Sequence, residues 1–174
     1  MRAVGGSRVG GTPIALALTL AKRPRLLLLD EPVAALDPLA RRHFLGTLAD
    51  AVAAGGLTVV LSSHLVADME RVCDHLILLS ASRVQLCGEI DTLLAEHQVL
   101  IGPRKDTTAI EKAHTLVQAE RTARQTTLLL RTNGPVIDPA FEAADVTLEE
   151  LVLGYMGQNA PAAYAHLSTV GEEQ

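Results

Sequence analysis

Aromatic side chains are almost absent from this sequence. Its 174 residues include no tryptophan, two tyrosines and two phenylalanines, although 48% of them are hydrophobic. A core made from this composition has to be packed from leucine, alanine and valine, which suits helices covering an aliphatic sheet. The length allows one ordinary domain, or a core layer with a small appendage, and makes two full domains unexpected.

Cysteines and long apolar runs are also scarce. Cys73 and Cys87 are the only cysteines. They have neither the close spacing nor the nearby histidine clusters that would make a zinc site, so we interpret them as reduced thiols of a cytosolic protein. The longest apolar runs, Ile14–Ala21 and Leu26–Leu29, are much shorter than the roughly 20 residues of a membrane helix. We therefore expect a cytoplasmic chain without a transmembrane segment of its own.

Positive charge is not concentrated anywhere along the chain. The formal net charge is -5, and the basic residues are scattered or paired, as in Lys22-Arg23 and Arg41-Arg42. Proteins that bind nucleic acid usually present a basic face to the phosphates. The charge pattern therefore argues against nucleic acid as a partner.

The first hundred residues predict alternating strands and helices after a loose, glycine-rich segment at 1–12. Leu26–Leu29 is an uninterrupted aliphatic run, typical of a strand buried on both faces of a parallel sheet. Capping residues, glycines and apolar periods predict the remaining elements. They are helices at Pro13–Lys22, Pro38–Ala54, Leu65–Cys73 and Ile90–Glu96, and strands at Leu57–Leu61, His75–Leu79 and Arg83–Cys87.

The pattern changes after Gln98, which predicts a small second module with its boundary near Gly102-Pro103. Alternating residues at Thr115–Glu120 and Thr126–Arg131 predict an antiparallel hairpin. A last helix is expected at Leu148–Met156, with Thr147 as its cap. We therefore divide the chain into the loose segment 1–12, an α/β layer at 13–98, an accessory α+β module at 99–157 and a mobile tail at 158–174.

Acidic and histidine side chains follow the first two predicted strands. Asp30 and Glu31 come directly after the first strand, and His64 follows the second. Adjacent parallel strands end at the same sheet edge and lie about 4.8 Å apart, so these groups should be neighbours where open α/β sheets bind ligands. The alternative is that Asp30 and Glu31 cap the next turn and that His64 is an ordinary surface or capping residue.

Three segments together resemble the ATP-binding-cassette (ABC) ATPases. Leu26–Glu31 is similar to their Walker B strand, Ala35–Asp37 to their D-loop, and His64 to their switch histidine, in the same order. The resemblance covers about residues 13–97 and implies part of a P-loop NTPase sheet with flanking helices. A weaker resemblance joins the hairpin module and Val146–Leu151 to the C-terminal extension of bacterial exporter-type subunits.

The resemblance implies a role for each candidate residue in binding ATP and Mg²⁺. Asp30 would hold Mg²⁺, Glu31 would activate the hydrolytic water, and His64 would contact the γ-phosphate. Asp37 would help to join two subunits across the nucleotide. Gly6–Gly10 is either an altered signature loop, from which Ser7 would bind nucleotide, or unrelated sequence produced by a shifted start or frame. These roles suit phosphoryl transfer, which depends on positioning and charge stabilisation.

The phosphate-binding loop of the family, G-x-x-x-x-G-K-[ST], does not occur in these 174 residues. We therefore expect a truncated nucleotide-binding subunit that is not competent by itself. An aliphatic sheet face and unpaired strand edges should also be exposed. The resemblance implies a homologous ATPase subunit and a membrane permease as partners, a location at the inner face of the membrane, and transport in the export direction.

Two other functions fit the same residues. The chain could be a non-catalytic remnant or regulatory partner that binds a full-length ABC ATPase subunit through the Asp37 region and the C-terminal module. It could also be a soluble DNA-repair or chromosome-organising ATPase. The latter is disfavoured, because the sequence has neither a coiled-coil insertion nor a basic groove.

Overall fold

The structure, a computed structural model, describes residues 13–136 and 138–157. These residues form two compact units that divide between Val72 and Cys73. The expectations for Ser7, for the loose segment 1–12 and for the tail 158–174 lie outside the described residues. Among the described residues, no helix is long and apolar enough to cross a membrane.

Within its described residues, 13–72, the N-terminal unit contains two parallel strands and three helices. β1 and β2 are parallel neighbours, as the sequence predicted. Leu26 pairs with Thr58 at one end of the strands, and Asp30 pairs with Ser62 at the other. The third helix is shorter than predicted, because it ends in a turn in which the Val72 N–H donates to the Met69 carbonyl. The elements are α1 (Pro13–Ala21), β1 (Leu26–Asp30), α2 (Pro38–Ala53), β2 (Thr58–Ser62) and α3 (Val66–Met69).

Among the described residues, helices cover one face of the β1–β2 sheet and leave the other exposed. Leu27 and its neighbours on that face pack with α1 and α2 in a core that includes Leu16 and Phe44. The other face exposes Leu26, Leu28 and Val60, each by more than half of its surface. The prediction of a strand buried on both faces is therefore wrong, since helices cover only one side of this sheet within the described residues. The expectation of an exposed aliphatic face is confirmed.

The C-terminal unit contains a hairpin and a four-stranded antiparallel sheet. The hairpin turns at Ala81 and Ser82, both with positive φ, which matches the twist that a two-residue hairpin turn requires. The four-stranded sheet has the order β6-β7-β5-β8. The elements are β3 (His75–Ser80), β4 (Arg83–Glu89), α4 (Ile90–Ala95), β5 (His97–Pro103), α5 (Thr108–Ala113), β6 (Thr115–Arg121), β7 (Gln125–Arg131), β8 (Glu142–Asp145) and α6 (Leu148–Gly157).

The division between the units falls earlier than the sequence indicated. Gly102 and Pro103, the expected boundary, are the last residues of the central strand β5. The hairpin and α4 belong with the C-terminal sheet, because α4 contacts β5 and both α4 and β4 contact α6. β5, α5 and β8 had no counterpart among the predicted elements, whereas the predicted hairpin and last helix match β6–β7 and α6.

Candidate functional site

The carboxyl ends of β1 and β2 carry the acidic and hydroxyl groups of the candidate site. Asp30 is the last residue of β1, and it pairs with Ser62, the last residue of β2. Five-residue strands in exact alignment therefore end at one edge of the sheet. Because ligands of open α/β sheets bind beyond the carboxyl ends of the strands, this edge is the first place to look for a site.

Ser62 joins the two consecutive acidic residues. Its Oγ donates to Asp30 Oδ1 at 2.7 Å and accepts the backbone N–H of Glu31 at 3.0 Å. Glu31 has φ of 45°, in the left-handed region that residues with a side chain rarely adopt. The hydroxyl thus fixes the point at which the chain leaves β1.

Glu31 and His64 form the second contact of the site. His64 Nδ1 lies 2.9 Å from Glu31 Oε2, and the two side chains are 66% and 38% exposed. The contact therefore joins the loops after β1 and β2, and it remains open to a ligand from solvent. The structure brings Asp30, Glu31 and His64 into one hydrogen-bonded group through Ser62.

Asp37 does not take part in this hydrogen-bonded group among the described residues and instead caps a helix. Its carboxylate accepts the N–H groups of Leu39 and Ala40 at 3.0 and 2.9 Å, which makes it the N-cap of α2. Pro38 follows at the first helical position, where its missing N–H costs nothing. The hydrogen bonds of Asp37 among the described residues thus stay within its own helix, so its role between subunits stays a prediction.

The donor set fits a magnesium ion held together with nucleotide phosphates. One oxygen of Asp30 is engaged by Ser62, whereas Oδ2 has no hydrogen-bond partner among the described residues. No group of three or more His, Cys, Asp or Glu side chains within the described parts of the chain could enclose a metal ion. Mg²⁺ in phosphoryl-transfer sites commonly takes one or two carboxylates and completes its octahedron with water and phosphate oxygens. Asp30 matches that requirement.

Ser62 is the residue that the sequence interpretation missed. It directly follows the predicted strand Leu57–Leu61, and the sequence pattern assigned it no role. The signal available was the strand register, because placing the first residues of the two predicted strands side by side puts Ser62 one position from Asp30. Serine is too common at strand ends for its type to mark a site.

A family model matches residues 13–67, which include every described residue of the candidate site. The family is described as "AAA domain, putative AbiEii toxin, Type IV TA system". The match covers about a third of the chain and places this segment among P-loop ATPase domains. Together with the mixed strands and helices of the structure, it confirms the predicted α/β ATPase fold class.

Curated relatives match about half of the chain. The thiamine import ATP-binding protein ThiQ of Vibrio parahaemolyticus is 36% identical over 84 residues, 48% of this chain. The energy-coupling factor transporter ATP-binding protein EcfA2 of Symbiobacterium thermophilum is 44% identical over 75 residues, 43% of the chain. The Nod factor export ATP-binding protein I of a Bradyrhizobium strain is 39% identical over 84 residues, 48% of the chain. The matches cover 36%, 26% and 27% of these relatives' own lengths, respectively.

Proposed function

Because about half of this chain is homologous to the ATP-binding proteins of ABC transporters, we propose that it supplies the metal- and water-positioning half of a transporter ATPase site. Asp30 serves Mg²⁺, Glu31 orients the attacking water, and His64 contacts the γ-phosphate. The observation that carries the proposal is the hydrogen-bonded group of Asp30, Ser62, Glu31 and His64 at the carboxyl edge of β1 and β2.

Each residue has a defined task in this proposal. Mg²⁺, when bound, would neutralise charge on the phosphates. Asp30 would hold it through Oδ2 while Oδ1 stays on the Ser62 hydroxyl. Glu31 accepts a proton or hydrogen bond from the water, and the imidazole of His64 limits the directions in which the Glu31 carboxylate points.

The site also needs a phosphate-binding loop. The 174 residues contain no G-x-x-x-x-G-K-[ST] segment, and two carboxylates cannot hold a triphosphate without cationic and N–H donors. We infer that those donors come from polypeptide outside these residues. The Asp37 end of α2 then faces a homologous subunit, and a permease at the inner face of the membrane completes the assembly.

Transport direction rests on different observations from the ATPase site. The relatives include proteins named for import and one named for export, so the homologous half does not distinguish the two. Export stays a prediction supported by the resemblance of the C-terminal module to the extension of exporter-type subunits. A transport assay in inside-out vesicles that contain the assembled complex would decide it.

The proposal is tested by ATP hydrolysis in a reconstituted mixture. The chain is combined with the separately produced part of the ATP-binding protein EcfA2 from Symbiobacterium thermophilum that lies outside the 26% of EcfA2 matched by this chain. We expect hydrolysis by the mixture and none by this chain alone. Glu31→Gln should lower kcat by about 100-fold or more, the scale of a lost general base. Asp50→Asn is the matched control, because Asp50 is an exposed residue of α2.

The outcomes separate the competing functions. Hydrolysis that is unchanged in Glu31→Gln would overturn the proposal. A mixture that associates without hydrolysing ATP would favour the non-catalytic regulatory partner. Calorimetry on the chain alone adds a further arm: micromolar Mg-ATP binding that Asp30→Asn abolishes would keep the residue roles and remove the need for an external loop.

A further inference from the structure

Ser62 occupies a position from which one hydroxyl controls both acidic residues. A hydroxyl has one hydrogen to donate and lone pairs to accept with. The Glu31 N–H, at 3.0 Å, donates to the oxygen, and the single hydrogen is directed to Asp30 Oδ1 at 2.7 Å. Both bonds connect β2 to the end of β1, so they act across the strand pair rather than along the chain.

The two bonds fix different features of the site. The bond to Oδ1 selects one rotation of the Asp30 carboxylate and leaves Oδ2 for a ligand. The bond from the Glu31 N–H holds the backbone where φ is 45°, a conformation disfavoured for a residue with a side chain. Without an acceptor at this point, Glu31 would relax toward ordinary backbone angles and its carboxylate would move away from His64.

Resting on the proposed function, we propose that Ser62 is the positioning residue of this site. It orients the Asp30 carboxylate toward the metal and keeps Glu31 turned toward the water position. The neighbouring Ser63 provides a natural comparison. Its hydroxyl accepts the N–H of Leu65 at 3.0 Å, a local bond that involves neither acidic residue.

The first readout is amide exchange of the purified chain by NMR. Ser62→Ala should accelerate exchange of the Glu31 N–H about two- to tenfold, as expected for the loss of one hydrogen bond. Ser63→Ala should accelerate the Leu65 N–H and leave Glu31 unchanged. Ser62→Thr, which retains the hydroxyl, should restore the slow exchange of Glu31. An unchanged Glu31 rate in Ser62→Ala would overturn the proposal.

The second readout uses Mn²⁺ alone as a paramagnetic probe of Asp30. We expect Mn²⁺ to broaden the amide resonances around Asp30, and several-fold more Mn²⁺ to be needed for the same broadening in Ser62→Ala. Ser63→Ala should behave like the parent chain, and Ser62→Thr should recover its sensitivity. Equal sensitivity in Ser62→Ala and the parent would overturn the positioning role.

The two proposals can fail separately. The Ser62 proposal is judged by amide exchange and by Mn²⁺ broadening, neither of which requires ATP turnover. The proposed function is judged by the effect of Glu31→Gln on hydrolysis in the reconstituted mixture. If Ser62→Ala loses the slow exchange of the Glu31 N–H but hydrolysis in the mixture does not depend on Glu31, the Ser62 proposal stands and the proposed ATPase function fails.

Discussion

Acidification should weaken the C-terminal unit through one buried histidine. His97 is only 2% exposed. Its Nδ1 lies 2.6 Å from the Leu93 carbonyl, to which it must donate, and Nε2 lies 2.9 Å from the Tyr155 hydroxyl, from which it accepts. Both ring nitrogens are thus satisfied in the neutral form. The contacts connect the start of β5 to the end of α4 and to α6.

Burial lowers the pKa of His97 below its ordinary value of 6.5. The bond to the Leu93 carbonyl acts in the opposite direction, and of the nearby charges Arg131 lowers the pKa while Glu96 raises it. Below about pH 6.5 the unfolded chain therefore takes up a proton that the folded chain does not. The free energy of unfolding should fall with decreasing pH until the folded pKa is reached, by at most about 1.4 kcal/mol per pH unit.

The assay is urea unfolding between pH 5 and 7.5, followed by the native amide resonances of β7, which report on the C-terminal unit. His97→Gln retains a donor and an acceptor but cannot titrate. The stability of this variant therefore changes with pH only through the other titratable groups, which makes it the reference for the parent. The parent should lose stability relative to His97→Gln as the pH falls below about 6.5. Parallel curves for the two proteins would refute the assignment of the effect to His97.

Two further predictions concern packing and charge. A Cβ at Gly154 would overlap Leu129 Cδ2, whereas a Cβ at Gly46 would meet nothing within 4 Å. In urea unfolding, Gly46→Ala should therefore stabilise the protein by about 1 kcal/mol, and Gly154→Ala should destabilise it by up to about 2 kcal/mol. Equal effects of the two substitutions would contradict this prediction. The Arg41–Asp68 ion pair spans 2.8 Å with side chains 23% and 34% exposed, so a double-mutant cycle with Arg41→Met and Asp68→Asn should give a coupling of about 1 kcal/mol or less that weakens in high salt. Additive single changes would mean that this pair contributes nothing.

Local signals in the sequence determined most of the N-terminal unit. The aliphatic run ending at Asp30 predicted β1, and Asp37-Pro38 predicted the start of α2. These signals are reliable because they act within one or two turns of the chain, where a proline fixes φ and an aspartate caps N–H groups. The parallel pairing of β1 with β2 followed from their separation by a helix.

The sequence was less informative about the C-terminal unit. β5 contains Gly102 and Pro103, which normally indicate a turn, and β8 consists of Glu142–Asp145, a polar, alanine-containing segment with poor strand propensity. Both are strands because they pair with neighbours distant in sequence. Gly102 is tolerated in β5 because Phe141 and the Ala140 carbonyl lie where a side chain would be.

For the candidate site, too, the sequence indicated some features and the tertiary structure decided the others. The sequence by itself pointed to Asp30, Glu31 and His64 as candidate residues, because two carboxylates follow an aliphatic strand and a histidine follows the next one; their roles stay predictions. Only the tertiary structure decided how they are connected: Ser62 reaches Asp30 and Glu31 through the register of two strands, and Asp37 is committed to its helix. Register and hydrogen-bond geometry depend on side-chain packing across the sheet, which residue order along one strand does not specify.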